Sequence, residues 1–222
     1  MNGRTGWRAG LAAALLCGMG MLCLPARADD DISLNARLLA AARAGDAAAV
    51  SAALQQGAAV NARNRIGDTA LLTAAKRGLT EMARTLVEHG ADVSQANVQG
   101  VTPLMAAAFG GFDEIVAMLL ARHAELAATD RVDKTAMIYA AGEGHAGVVR
   151  QLLDAGVDVN TVYANGLTAL MWAAGYDKVD TVRLLLSRGA RPELRDNRGL
   201  SAQEIADQAG AKTVAGLLSV QH

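Results

Sequence analysis

The run Gly100-Val101-Thr102-Pro103-Leu104-Met105-Ala106-Ala107-Ala108-Phe109-Gly110-Gly111 contains a turn, a helix start and a helix stop in close succession. Thr102 is placed to cap a helix by accepting a hydrogen bond from an otherwise unpaired N–H, and Pro103 sits in the first turn, where its missing donor is not needed. Gly100 supplies a positive φ for a tight turn ahead of the cap. Gly111 supplies the left-handed residue that ends the helix. Between them Ala107 and Ala108 carry side chains small enough for a second helix to press closely.

Working outward from Thr102, the same arrangement returns every 33 residues. Thr69, Thr102, Thr135, Thr168 and Ser201 form one column, and Gly67, Gly100, Asp133, Gly166 and Gly199 stand two positions before it. Alanine pairs follow at 74–75, 107–108, 140–141 and 173–174, glycines at 78, 111, 144 and 210, and leucines at 86, 119, 152, 185 and 218. A fixed period of this length is the mark of a repeat architecture. After each glycine an apolar stripe such as Ile115, Val116, Leu119 and Leu120 describes one face of a second helix. Asp133 replaces glycine at a turn and costs about 1 kcal/mol if it keeps the left-handed geometry. In the first unit Ala36 stands where threonine is expected, so Ser33 or Asn35 is the expected cap. Ser201 with Glu204 predicts a capping box.

Val101-Thr102-Pro103-Leu104, Thr69-Ala70-Leu71, Thr168-Ala169-Leu170, Gly90-Ala91-Asp92-Val93 and Gly156-Val157-Asp158-Val159-Asn160 together resemble the ankyrin-repeat family. The expected fold is all-α: a solenoid of six helix–turn–helix units with short β-turn or hairpin connections, starting near residues 32, 65, 98, 131, 164 and 197. Because no unit buries both faces alone, the units stack and the terminal ones carry polar outer faces. Ser51, Gln55, Gln56, Gln203, Glu204 and Asp207 fit that capping role.

The 222 residues are 52% hydrophobic and 3% aromatic, with about a fifth alanine, a mixture suited to closely stacked helices. A net charge of −1 leaves no electrostatic footprint for nucleic acid. At the N-terminus Arg4 and Arg8 precede an apolar run from Leu11 to Leu24, then Pro25-Ala26-Arg27-Ala28 and three aspartates. This is the pattern of a secretory signal peptide over residues 1–28, cut after Ala28. The run is short for a membrane anchor, and neither cysteine follows the small residues that a lipoprotein signal needs. The expected mature domain, 29–222, has no cysteine, 18 basic and 22 acidic residues, and no membrane span. The expected destination is the periplasm or the exterior.

Candidate chemistry is sparse. There is no Gly-x-Ser-x-Gly elbow, phosphate loop or dinucleotide fingerprint, so neither enzyme activity nor a cofactor or metal is expected. His145 falls where the resemblance implies a structural histidine. His89 and His123 fall in equivalent loops, where solvation is the simpler account. Met82, Met105, Met118, Met137 and Met171 recur at apolar helix positions, where core filling outweighs a soft-metal role.

The lining that varies between units is the candidate site. The resemblance implies that the turns and the seventh and eighth residues after each threonine face a concave side. There Arg65, Lys76 and Arg77, with Arg63, make a basic cluster, and Val98, Val101, Phe109, Val132, Tyr163, Leu167 and Tyr176 make an apolar one. Tyr139 and Trp172 share a deeper column, and Arg188, Arg191, Arg195 and Arg198 read as a solvated charge run. All six aromatics of the mature chain lie between Phe109 and Tyr176. Aromatic side chains grouped on a surface suggest a docking patch, although single exposed apolar residues are ordinary. The expected function is a monomeric, non-enzymatic protein-binding module that presents a rigid surface. The further resemblance to exported ankyrin-repeat proteins of proteobacteria implies an envelope enzyme such as a haem catalase as partner. A soft-metal or haem carrier is the remaining alternative.

Overall fold

The column of hydroxyl side chains caps helices as its spacing requires. The computed structural model describes residues 28–219, in which Thr69, Thr102, Thr135 and Thr168 each accept a hydrogen bond from the N–H three residues on, at 3.0–3.4 Å. Ser201 accepts from the Glu204 N–H at 3.3 Å, and its own N–H donates to Glu204 Oε2 at 2.7 Å, which completes the capping box. The capped helices are α3 (Ala70–Arg77), α5 (Pro103–Gly110), α7 (Ala136–Glu143), α9 (Ala169–Gly175) and α11 (Ala202–Ala209). Each is followed by the second helix of its unit: α4 (Thr80–Glu88), α6 (Asp113–Ala121), α8 (Ala146–Asp154), α10 (Val179–Ser187) and α12 (Lys212–Ser219). The first unit contributes α1 (Ala28–Ala44) and α2 (Ala47–Gln55).

These six pairs form the expected all-α row, and the described residues contain no strand, so the connections are turns. Each inner turn is closed by two backbone bonds, such as Asn97 N–H to the Val101 carbonyl and Gly100 N–H to the Asn97 carbonyl, both at 3.0 Å. Ser33 and Asn35 are not caps: α1 runs through both. Leu34 stands in the column that most other units give to the turn glycine, so nothing interrupts the helix there. The Asn35 amide oxygen instead accepts from the Ala59 N–H at 2.7 Å and ties α1 to the loop after α2. The segment expected as a signal peptide, residues 1–28, lies outside the described residues apart from Ala28. No helix among the described residues is long and apolar enough to cross a membrane.

One continuous core runs along the row. The alanine pairs of α3, α5, α7 and α9 are fully buried, as are Leu86, Leu119, Leu152 and Leu185. Alanine lets the first helices of neighbouring units approach more closely than the second helices do. A row whose two layers have unequal spacing bends toward the tighter one, so the first helices and the turns line the concave side. At the C-terminal end Asp207 is exposed where inner units bury alanine, and Gln55 and Gln56 are exposed near the other end.

Candidate binding surface

The concave face carries its aromatic residues as a connected group. Phe109, 53% exposed near the end of α5, meets the Tyr139 ring of α7 edge to face, with centroids 5.7 Å apart and planes at 86°. Trp172 of α9 stacks on Tyr176, 58% exposed, with centroids 5.9 Å apart and planes at 8°. The Lys134 ammonium lies 5.4 Å from the Tyr139 centroid and 4.9 Å from that of Trp172, and so joins the two aromatic pairs. Both aromatic geometries are favourable arrangements of ring quadrupoles, and the cation adds attraction to each ring it covers. A Cβ at Gly142 would come 3.7 Å from Trp172 and 3.8 Å from Tyr176, ordinary contact distances that place both rings beside α7.

Tyr139 is fixed from behind. Its hydroxyl donates to Asp130 Oδ2, while Asp130 Oδ1 accepts from the N–H groups of Val132 and Lys134 at 2.9 and 3.0 Å. Burial alone would raise the Asp130 carboxyl, but these hydrogen bonds, the Tyr139 one foremost, hold it below its ordinary value. Burial, reinforced by the Asp130 bond and charge, pushes the Tyr139 phenol up to about 12. At neutral pH the pair is therefore a carboxylate and a phenol donor, and the ring is presented rigidly.

The sequence-derived residues divide clearly on the structure. Val98 and Val132 are exposed at turn tips, and with Phe109 and Tyr176 they form the open apolar part of the strip. Val101, Tyr163 and Leu167 do not belong to that open part. All three are half-buried and pack against the core, because their turns fold back over the helix starts. The basic cluster is mostly engaged within the chain. Lys76 Nζ pairs with Asp68 Oδ2 at 2.7 Å. Arg77 donates to the carbonyls of Ala42 and Arg43 at the end of α1, and Arg63 donates to those of Gly67 and Ala96. Of the four, Arg65 alone is exposed with no side-chain partner among the described residues. In the tail group Arg188, Arg195 and Arg198 pair with Asp154, Glu204 and Asp196.

Tyr139, Trp172 and Lys134 are more central than the sequence suggested. Lys134 sits directly before a cap in a column otherwise held by Asp68, Val101, Leu167 and Leu200, and its standing as the one cation there was its signal. The turns hold a further pattern that the period had not exposed. Asn64, Asn97, Asp130 and Asp196 each accept, through one side-chain oxygen, from the N–H groups two and four residues on. Such side chains mimic a backbone turn. Tyr163 replaces them in the fifth unit, where residues Ala164–Gly166 form a short 3₁₀ turn with Asn165 at φ 62°.

The remaining candidates settle into structural places. His145 Nε2 donates to the Phe109 carbonyl at 3.0 Å and ties the fourth unit to the third. Met82, Met105, Met137 and Met171 are buried in the core, which withdraws their thioethers from solvent. No group of three or more histidine, cysteine or acidic residues able to hold a metal occurs among the described residues. A family model described as ankyrin repeats (3 copies) matches residues 38–130 and 125–196. No curated protein matches the chain.

Proposed function

The chain belongs to the ankyrin-repeat family, whose repeats generally mediate binding between proteins, and from that premise we propose that it is a non-enzymatic, monomeric module that captures a protein on the concave face of its third to fifth units. The supporting observation is the braced aromatic group: Phe109, Tyr139, Trp172 and Tyr176 present rings held by their mutual packing, by Lys134 and by Asp130. A preformed surface loses little side-chain entropy on association, and aromatic anchors of this kind dominate interface energetics. Val98 and Val132 extend the apolar area along the turn tips, and Arg65 offers a cation beside it.

The N-terminal pattern of Arg4, Arg8, the Leu11–Leu24 run and Ala26-Arg27-Ala28 supports export to a bacterial envelope. Sequencing the N-terminus of the protein recovered from that compartment should begin at Asp29. An envelope enzyme such as a catalase is the partner to try first, on the resemblance alone; equal peroxide sensitivity with and without the protein removes it. The concave site itself is tested by a photo-crosslinking residue placed at Phe109 and, as control, at Arg150 on the second-helix side. The expected result is one crosslinked protein from position 109, abolished by the pair Trp172→Ser and Tyr176→Ser with unchanged helicity. Equal crosslinking from both positions would remove the concave-face reading.

A further inference from the structure

The loops of this row are joined to one another by two repeating hydrogen bonds. At the turn tips Val98 N–H donates to the Ile66 carbonyl at 3.1 Å, Arg131 N–H to Gln99 at 3.0 Å, and Asn197 N–H to Asn165 at 3.0 Å. Farther back, the side-chain oxygens of Asn61, Ser94 and Asn160 accept from the N–H groups of Asp92, Glu125 and Arg191 at 2.8–3.1 Å. Both series skip the same place, between the loop over residues 122–134 and the loop over residues 155–167. Ala164 N–H has no bond to Val132, and Ala127 has no side-chain oxygen to offer Asp158.

The cause lies in two residues. A Cβ at Gly67 would come 2.9 Å from the Val98 nitrogen, and one at Gly100 would come 2.9 Å from the Asp130 Cα, so each turn settles onto the glycine of the turn before it. Asp133 occupies that column with φ 58°, and its real Cβ holds the fifth turn away. The parted loops leave a cleft of about 640 Å³, walled by Leu126, Val157, Val162 and Tyr163 and flanked by Asp133 and Asp158. A smaller hollow of about 190 Å³ shares Asp133, Tyr163 and Ala164 with it and reaches Lys134 and Trp172 on the concave side. Neither aspartate is in an ion pair among the described residues. Burial raises the Tyr163 phenol, with the hydroxyls of Thr161 and Thr135 acting against it and Asp158 adding to it.

We propose that this cleft is a binding site for an extended peptide segment of the partner, with a lysine or arginine flanked by aliphatic residues. The proposal rests on the protein-binding reading and adds the chemistry of what enters. The Ala164 N–H and Val132 carbonyl, which the other junctions use to join their turns, are available to the peptide backbone as at an open strand edge. The aliphatic walls take the stem of the basic side chain and its neighbours, and Asp133 and Asp158 face the cation, which favours basic over acidic segments.

A positional-scanning library of nonapeptides, applied to the purified protein, tests it. The expected selection is lysine or arginine with aliphatic neighbours. The double variant Ala127→Asn, Asp133→Gly restores both missing joints and should weaken the selected peptide at least tenfold while raising Tm. Asp133→Asn with Asp158→Asn leaves the cleft open and should lose the preference for a cation. Phe109→Ser should hold the peptide within about twofold, which separates this site from the concave aromatic strip. Selection of acidic peptides, selection of none, or undiminished binding by the closed double variant would each overturn the proposal.

Discussion

The junction flanked by the loops over residues 56–69 and 89–102 and that flanked by the loops over 122–134 and 155–167 use equivalent helices and the same columns, yet only the first is joined along its loops. At the former, Val98 bonds to Ile66, Asp92 to Asn61, Arg63 to the Ala96 carbonyl, and the Asn97 side-chain amide to Asp68 at 2.8 Å. At the latter the helices pack as elsewhere, with Leu152 and Leu170 fully buried, while the turns stand apart. Helix packing and loop joining are therefore separable in this row. The first carries the stability; the second decides where the surface is closed and where it opens.

That separation can be broken most forcefully from the helical side. Leu152→Ala empties a fully buried site at the open junction and should lower stability by about 2–5 kcal/mol, as large-to-small core changes do. Denaturant midpoints should place it level with Leu119→Ala in the preceding unit; a much smaller loss at 152 would mean that the open junction is weakly packed as well. Next in size, Gly100→Asp imposes on a joined junction the feature that parts the open one. It should cost roughly 2–3 kcal/mol, from left-handed strain and a lost inter-turn hydrogen bond. Amide exchange at Arg131 should accelerate in the variant, and an unchanged rate there would contradict the role assigned to glycine. The reverse change, Asp133→Gly, should raise stability by about 1 kcal/mol and slow exchange at the Ala164 amide.

The smallest effect sharpens the comparison on the concave side. Tyr139→Phe removes one hydrogen bond to a carboxylate and should cost about 1 kcal/mol at neutral pH. The Asp130 carboxyl is held below its unfolded value of 3.8, so its contribution is present above that pH and lost as pH falls through the folded value. The wild type and the variant should therefore converge in thermal stability as the pH falls below 3.8 and acid protonates Asp130 in the folded state, and a gap that persisted once it is protonated would detach Tyr139 from Asp130.

Much of the fold was legible because repetition multiplies weak local signals. A single threonine before an apolar run is a weak helix start, but four threonines and a serine at one spacing, most with a glycine turn before them and buried alanines after, leave little freedom. The site was legible only in part. Phe109 and Tyr176 stand out as large apolar side chains at positions other units fill with polar or small ones. Val101, Tyr163 and Leu167 carry the same apolar character and are half-buried instead, since the one-dimensional pattern does not show which way a turn folds over its helix. Lys76 and Arg77 read as free charge, but their partners, Asp68 and the end of α1, come from a neighbouring turn and a neighbouring unit.

The sequence by itself determined the period, the caps, the helix ends and the alanine-lined contacts, because each depends on residues a few positions apart or on the same column repeated. It also held the two substitutions, Ala127 and Asp133, that set the loop before α7 apart. Only the tertiary structure decided what they do. A missing acceptor and an added Cβ have consequences only against the loop of the next unit, some thirty residues away, and that proximity follows from stacking the units rather than from either residue's own preference.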